Sequence, residues 1–553
     1  MTTAAILFEP DGYVVSGPRL MGRQAAGNTF LRAAVAGRGN EPLYAYTPLR
    51  RSAEVFSKLV QEIDPRAIAR WIPANRLDLV SQLGTLYIPG PGLDTAARLR
   101  LRAGAAAYSL MGVTHTTASH RAMDGITGVL SAPVMPWDAL ICTSAAVAGT
   151  VKVLLESELE YLRWRFNNDI KLTLPQLPII PLGVHCDDFI FSANERAAAR
   201  QHLGIQEDEV MALFVGRLSF HAKAHPHTMY AGLQTAATRT SQKIVLVQCG
   251  WFANDTIKKS FFDGAAQFCP NVRALFTDGR EADTRRRSWA AADLFVSLSD
   301  NIQETFGLTP IEAMAASLPV VVSDWDGYKE AVREGVDGFR IPTWMPPPNL
   351  GEGLARAHEA GIENYDFYCG LTCQTISMDM DVLANRLSDL ISNPTLRYKF
   401  GEAGRARARE VYDWSVVYRQ YQSLWDHLAE LRRVAHNDPS QLAFLNAAPR
   451  SAPGRLDPYR SFGHYPSRLI SPQTQVISTS DGGRTTYEQL AAHGLFSYAA
   501  KTLPSPEFVE RLLVVLVNNA KSIDELAQHL RIDVGTTILV TSVLAKMGLV
   551  RLY

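Results

Sequence analysis

Asn301-Ile302-Gln303-Glu304-Thr305-Phe306-Gly307-Leu308-Thr309-Pro310-Ile311-Glu312-Ala313-Met314-Ala315-Ala316 decides how the rest of the chain is read. Ahead of it, Ala292-Asp293-Leu294-Phe295-Val296-Ser297-Leu298 predicts a short buried strand. Behind it, Leu318-Pro319 stops a helix, and Pro319-Val320-Val321-Val322-Ser323 predicts the next strand. The unit is strand–loop–helix–strand, with its loop at the carboxyl end of the first strand, and it places the chain among α/β proteins. Thr309 is expected as the helix N-cap, Pro310 at the first helical position, and Glu312 where it completes a capping box. Gly307 allows unusual dihedrals or a close backbone approach. A helix N-terminus beside such a glycine suits a phosphate, because its N–H groups and dipole both point at an anion.

Two glutamates bracket that site, Glu304 in the loop and Glu312 in the first helical turn. The alternatives are a capping role alone for Glu312 and a solvated loop glutamate for Glu304. The spacing Glu304-x7-Glu312, with Phe306-Gly307-Leu308 between, resembles the paired-glutamate motif of family 4 glycosyltransferases ("glycosyl transferases group 1"), retaining enzymes of the GT-B fold. The resemblance implies that Glu304 and the backbone of Phe306, Gly307, Leu308 and Thr309 meet a donor sugar, while Glu312 binds the nucleotide ribose. A second motif agrees with it: Val210-Met211-Ala212-Leu213-Phe214-Val215-Gly216-Arg217-Leu218 ends a strand, and Lys223 follows in the next loop. In the family Arg217 and Lys223 would neutralise the donor diphosphate, which gains charge as the glycosidic bond breaks. The alternative for both is an ordinary surface salt-bridge residue.

The chain has 553 residues, room for three or four domains at about 150 residues each. Lys+Arg 55 against Asp+Glu 55 leaves net charge +0, which argues against a dedicated nucleic-acid binder. Cys142, Cys186, Cys249, Cys269, Cys369 and Cys373 are scattered, so neither a zinc site nor a disulfide framework is expected. No apolar run suggests a membrane span, and the first residues lack a basic region followed by an apolar core. The expected location is the cytoplasm, with peripheral attachment at the inner membrane face admitted.

In chain order, Ala4-Ala5-Ile6-Leu7-Phe8 is a strand leading into a glycine-bearing loop, Ser16 to Asn28, with a helix expected from Thr29. By resemblance this loop faces the donor diphosphate and acceptor, which makes Gly22 and Gly27 candidates; the alternative is turn glycines without ligand contact. Apolar runs at Leu43–Tyr46, Thr85–Ile88, Ala139–Ser144 and Leu177–Pro181 alternate with helical stretches, predicting a parallel sheet covered on both faces. In the polar island Gly112–His120, His115 sits where the family has a histidine facing the donor sugar; the alternative is a hydrogen-bonded turn histidine. Arg98, Arg100 and Arg102 read as a solvated helix face. His221, His225 and His227 are irregularly spaced and read as loop residues. Asp324-Trp325-Asp326 follows a strand as a turn, so its Asp-x-Asp pattern is not expected to bind a metal.

The expected organisation is 1–185, an N-terminal Rossmann-like domain on the acceptor side; 186–400, a Rossmann-like nucleotide-sugar domain; 401–434, helices crossing back to the first; 435–482, a proline-rich linker; and 483–553, a separate module. That module, helix–helix–helix–strand, resembles a small winged-helix domain. Its charges balance, which favours a protein partner or self-association over DNA.

The resemblance implies a retaining, metal-independent hexosyltransferase: two facing Rossmann-like domains and a winged-helix-like appendage. It would take a UDP- or GDP-sugar as donor substrate, need no other cofactor, and serve a glycan, lipid-linked or small-molecule acceptor. Glu304, His115, Lys223 and Arg217 form the implied catalytic set; Arg217, Lys223, Phe306, Gly307, Leu308, Thr309, Glu312, Gly22 and Gly27 form the implied donor-binding set. The competing readings are a non-catalytic sugar-nucleotide-binding or scaffold protein acting through its C-terminal module, and a sugar-phosphate synthase or phosphorylase-like activity in the same fold.

Overall fold

The computed structural model describes residues 3–14, 22–168, 172–479, 483–517 and 519–553. Its first sheet holds β1 (Ala4–Leu7), β2 (Leu43–Thr47), β3 (Ala69–Pro73), β4 (Thr85–Ile88), β5 (Ser109–Val113) and β6 (Ala139–Ile141). The second holds β7 (Glu209–Val215), β8 (Lys243–Gly250), β9 (Val272–Asp278), β10 (Leu294–Ser297), β11 (Val320–Ser323) and β12 (Gly338–Ile341). The orders are β3-β2-β1-β4-β5-β6 and β12-β11-β10-β7-β8-β9. All neighbours are parallel. Numbered within its own domain, each sheet runs 3-2-1-4-5-6, the doubly wound Rossmann order. The two domains make the GT-B fold. Strand order reverses between β1 and β4, and again between β7 and β10. Ligands of open α/β sheets bind at the carboxyl ends beside such a reversal.

Alternation along β7 shows how the second sheet is covered. Met211, Leu213 and Val215 join a core with Ile311, Met314 and Ala408, while Val210, Ala212 and Phe214 join another with Leu233, Leu383 and Phe400. Successive side chains of a strand point to opposite faces, so a strand apolar throughout needs helices on both sides.

The chain crosses between the domains twice, side by side. Val184 N–H donates to Tyr412 O at 2.8 Å, and Trp414 N–H donates to Val184 O at 3.0 Å. A π-helical turn, Ala408–Tyr412, precedes the second crossing. The helix Trp414–Asn437 then lies on the first domain, burying Trp414, Tyr418, Tyr421 and Trp425 against Phe30 and Tyr87. A Cβ on Gly37 or Gly183 would stand 2.4 Å from the rings of Tyr418 and Trp414 respectively, so each glycine admits a ring.

Three expectations change in the first domain. A helix spans Gly22–Gly37, so Gly22 opens it and Gly27 lies inside it; the rest of the expected loop, 15–21, falls outside the described residues. Arg100 is fully buried rather than solvated, and its guanidinium grips the Asp138 carboxylate at 2.5 and 2.8 Å. Leu177–Pro181 forms no strand. Pro175, Pro178 and Pro181 lack the N–H a ladder needs, so only isolated bridges such as Cys142 with Ile179 remain.

The chain divides into two compact units, Met1–Ala452 and Pro453–Tyr553. The stretch 435–482, expected as linker, carries ordered elements of both; its residues 480–482 lie outside the described ones. Ala435 packs with Leu101, Ala105 and Trp137 in the first unit, and a helix follows at Pro439–Asn446. A short pair, β13 (Thr343–Trp344) with β14 (Ser377–Met378), closes off an insertion after β12. In the second unit β15 (Gln475–Ser478) is the middle strand of an antiparallel sheet with β16 (Lys521–Ser522) and β17 (Val550–Leu552). Val476 of β15 is fully buried with Tyr487, Leu512 and Leu526, which is why this end of the proline-rich stretch is ordered. Ser522 caps the helix Ile523–Leu530 in a complete capping box with Glu525. Among the described residues, no helix is long and apolar enough to cross a membrane.

Candidate functional site

The loops after β7 and β10 leave the sheet on either side of the strand-order reversal, and they carry Arg217, Lys223 and Glu304. Lys223 Nζ donates to Glu304 Oε2 at 3.2 Å, with the side chains 32% and 15% exposed. Arg217 Nη2 donates to Ala222 O and to Gln303 Oε1, both at 3.0 Å. Asn301 ties the loops together, donating from Nδ2 to His221 O at 3.1 Å while its Oδ1 accepts Gln303 N–H at 2.9 Å. Asp300 accepts the His225 N–H at 3.2 Å, and burial pushes its carboxyl up to about 6. Sequence reasoning missed both Asn301 and Asp300; an Asp-Asn pair directly after an apolar strand was the available signal.

Burial pushes the Glu304 carboxyl up, but the Lys223 charge and hydrogen bond, helped by the Thr305 and Phe306 N–H groups, outweigh it and hold the group below its ordinary value. Glu304 is therefore a fixed anion at neutral pH. Glu312 has no such counterweight. Burial pushes it up to about 7, with the Arg285 charge only partly opposing.

The helix behind the loop starts earlier than expected. It spans Leu308–Ala315 with Gly307 as N-cap at φ +83°, and no side chain caps it. Thr309 is thus within the helix, and the Thr309–Glu312 capping box does not form. A Cβ at Gly307 would lie 1.9 Å from Tyr328 Cε1, so the ring occupies the space that glycine leaves. Tyr328 Oη in turn pairs with Ser297 Oγ at 2.9 Å, at the end of β10. The first turn keeps its N–H groups without a side-chain cap, directly after the loop that carries Glu304. Phe306 and Gly307 are buried and Leu308 half-buried.

The first domain meets this loop directly. Thr305 Oγ1 donates to His115 O at 3.3 Å, and Ser144 Oγ donates to Thr305 O at 3.0 Å. His115 therefore lies beside the Glu304 loop, at the carboxyl end of β5. Gly27 instead packs within its helix, where a Cβ would stand 2.1 Å from Gly12 O. Asp324 faces Arg340 at 3.4 Å. The insertion after β12 was also unread in the sequence. Its helix Tyr365–Cys373 lies against the β7 loop, where a Cβ on Gly370 would be 2.7 Å from His221 Cβ. Tyr365 Oη reaches to 3.5 Å from Thr116 Oγ1 of the first domain. Among the described residues, no three His, Cys, Asp or Glu side chains gather as a metal site.

Residues 195–358 match the family of glycosyl transferases group 1, and this part of the second Rossmann domain is a domain of that family. An uncharacterized glycosyltransferase of Methanocaldococcus jannaschii is 31% identical over 162 residues, 29% of this chain and 38% of its own length. Phosphatidyl-myo-inositol mannosyltransferase of Mycobacterium tuberculosis is 27% identical over 254 residues, 45% of this chain and 54% of its own. The chain thus spans about half or less of these relatives. Among solved structures, Anabaena HepE in complex with UDP and glucose has a TM-score of 0.48 at 16% identity, covering 77% of this chain and 100% of that one.

Proposed function

We propose that the chain is a retaining glycosyltransferase of family 4 that moves a hexose from a nucleotide-diphosphate sugar to a glycan, lipid-linked or small-molecule acceptor without a metal. The observation that carries this reading is the convergence of Arg217, Lys223, Glu304 and an uncapped helix N-terminus at one strand-order reversal. Two cations and a helix N-terminus suit a diphosphate leaving group, and they act without proton transfer. Arg217 and Lys223 hold the diphosphate; Lys223 exchanges its Glu304 partner for phosphate oxygen, which frees the Glu304 carboxylate to accept hydroxyl hydrogens of the sugar. Glu312 takes the ribose hydroxyls. His115 approaches the sugar from the first domain, and Gly22 opens the facing helix. UDP and GDP are the donor nucleotides to try first; the M. tuberculosis relative is by name a mannosyltransferase.

The unit Pro453–Tyr553 is winged-helix-like in this reading and serves protein contact or self-association. The protein is placed in the cytoplasm or peripherally at the inner membrane face. The test is to incubate the chain with UDP- and GDP-hexoses in EDTA and to read the anomeric proton of the product by NMR. Transfer with the donor's anomeric configuration supports the reading. Inversion, or activity that returns only with Mg²⁺ or Mn²⁺, contradicts it.

A further inference from the structure

Asp326 has no part in the donor-site reading, yet it is placed as few aspartates are. It sits in the turn after β11 at φ +44°, in the left-handed region where Asn and Asp are the side chains best tolerated. Its Oδ1 lies 3.2 Å from Ser144 Oγ of the first domain, and its Oδ2 is shut off from solvent without a hydrogen-bond partner.

The hydrogens at this seam can be counted. Thr143 Oγ1 lies 3.2 Å from Thr114 O and 3.3 Å from Thr305 O; Ser144 Oγ lies 3.0 Å from Thr305 O and 3.2 Å from Asp326 Oδ1. Both hydroxyls are buried, and each has one hydrogen. Two hydrogens face three acceptors: two carbonyls, which can never donate, and Asp326. Ser144 Oγ accepts Val147 N–H at 3.1 Å and retains a second lone pair. A hydrogen on Asp326 Oδ1 completes the set: Thr143 donates to Thr114 O, Ser144 to Thr305 O, and Asp326 to Ser144.

The charges around Asp326 favour that state. Glu304 faces it from the β10 loop, itself paired with Lys223; Glu330 and Tyr328 follow on its own segment; His115 lies across the seam, its carbonyl holding Thr305. Burial, then the Glu304 charge, pushes the Asp326 carboxyl up to about 7. An ionised Asp326 would add one more buried carboxylate beside Glu304.

We infer that Asp326 is carried as the neutral acid when the two Rossmann domains are together, and that its proton, donated to Ser144, positions the Thr305 carbonyl and the Glu304 loop against the first domain. Asp326 is thus a positioning residue, and domain closure takes up a proton. This does not rest on the glycosyl-transfer reading, because every contact is the chain's own.

The test is the closed-to-open ratio of the full chain, read by energy transfer between one dye on each Rossmann domain as pH is raised. The closed state binds the proton more tightly, so closure is favoured at low pH and lost as pH rises toward the closed-state value of about 7. The wild-type ratio should fall by up to about tenfold per pH unit below that value and level off above it. Asp326→Asn keeps the left-handed turn and supplies an N–H in place of the O–H, so it should stay closed with that step removed. Ser144→Ala removes the acceptor but leaves Asp326 buried beside Glu304, so the step should persist while the closed-to-open ratio drops at every pH, because Asp326 and the Thr305 carbonyl both lose their partner. Parallel pH profiles for the wild type and Asp326→Asn, or a Ser144→Ala ratio equal to that of the wild type at every pH, would overturn the inference.

Discussion

Replacing Gly307 by alanine tests the geometry that aims the helix Leu308–Ala315 at the site. Two costs can be separated. At φ +83° the backbone is left-handed, which costs an alanine about 1–2 kcal/mol. The new Cβ would also stand 1.9 Å from Tyr328 Cε1 and 2.6 Å from Cδ1, so the ring must move. Moving it costs about 1–3 kcal/mol for overpacking and about 1 kcal/mol more for the Ser297–Tyr328 hydrogen bond. The expected loss is roughly 3–6 kcal/mol. Gly335→Ala is the matched control. Its φ is +71° with nothing within 4 Å of the added carbon, so it should cost only the backbone part, about 1–2 kcal/mol. Native-state hydrogen exchange at β10 and the following helix reads the local opening free energy in each variant. Equal losses in the two variants would refute the reasoning, because the difference between them is the Tyr328 contact.

Further outcomes follow from the same geometry. Glu304→Gln should lower sugar transfer at least a hundredfold while the melting temperature stays within a few degrees, since glutamine fills the same space; near-normal turnover would remove Glu304 from the reaction. Lys223→Ala leaves Glu304 facing burial unopposed, at a cost of about 1–3 kcal/mol at neutral pH, reduced from the fully buried case because Lys223 is 32% exposed. The sign is specific. Wild-type Glu304 is depressed, so its contribution is present above the unfolded carboxylate value and lost as pH falls through the folded one; in the variant burial raises the carboxyl instead, and stability falls as pH climbs above the ordinary carboxylate value. Melting curves whose separation stays constant over that range would contradict this. A chain ending at Ala452 should keep nucleotide binding, because every donor-site residue lies upstream; loss of binding in a folded truncated protein would place part of the site beyond it.

The stretch around Glu304 was legible because its flanking strands are short apolar runs with no polar interruption, and both strands lie where the residues predict them. The helix start was misread. Thr309, Pro310 and Glu312 satisfy the capping pattern, but only the tertiary contact of Tyr328 with Gly307 makes the glycine the N-cap. β3 escaped notice because Arg70 and Trp71 leave an edge strand without an apolar run, and β12 because Gly338 opens it; a Cβ there would stand 2.1 Å from Val320 O. β15 was hidden among prolines that mark a broken chain, yet Val476 joins a core assembled from residues much later in sequence. Of the candidate residues on the second sheet's loops, Lys223 meets Glu304 and Arg217 reaches the neighbouring Gln303. The candidates Gly22 and Gly27 depended on a glycine-bearing loop, and Gly27 packs closely against Gly12. Asp326 gave no sequence signal beyond an Asp-x-Asp turn, because its surroundings come from Ser144 and Thr305, both remote in the chain.

Calorimetric titration of the full chain and of Lys223→Ala with UDP and GDP tests the central claim most directly. The account predicts that one of the two nucleotides binds the wild type and that Lys223→Ala weakens it at least tenfold, about 1.4 kcal/mol, with the fold retained. A wild type that binds neither nucleotide, or a Lys223→Ala chain that binds as tightly as the wild type, would contradict it.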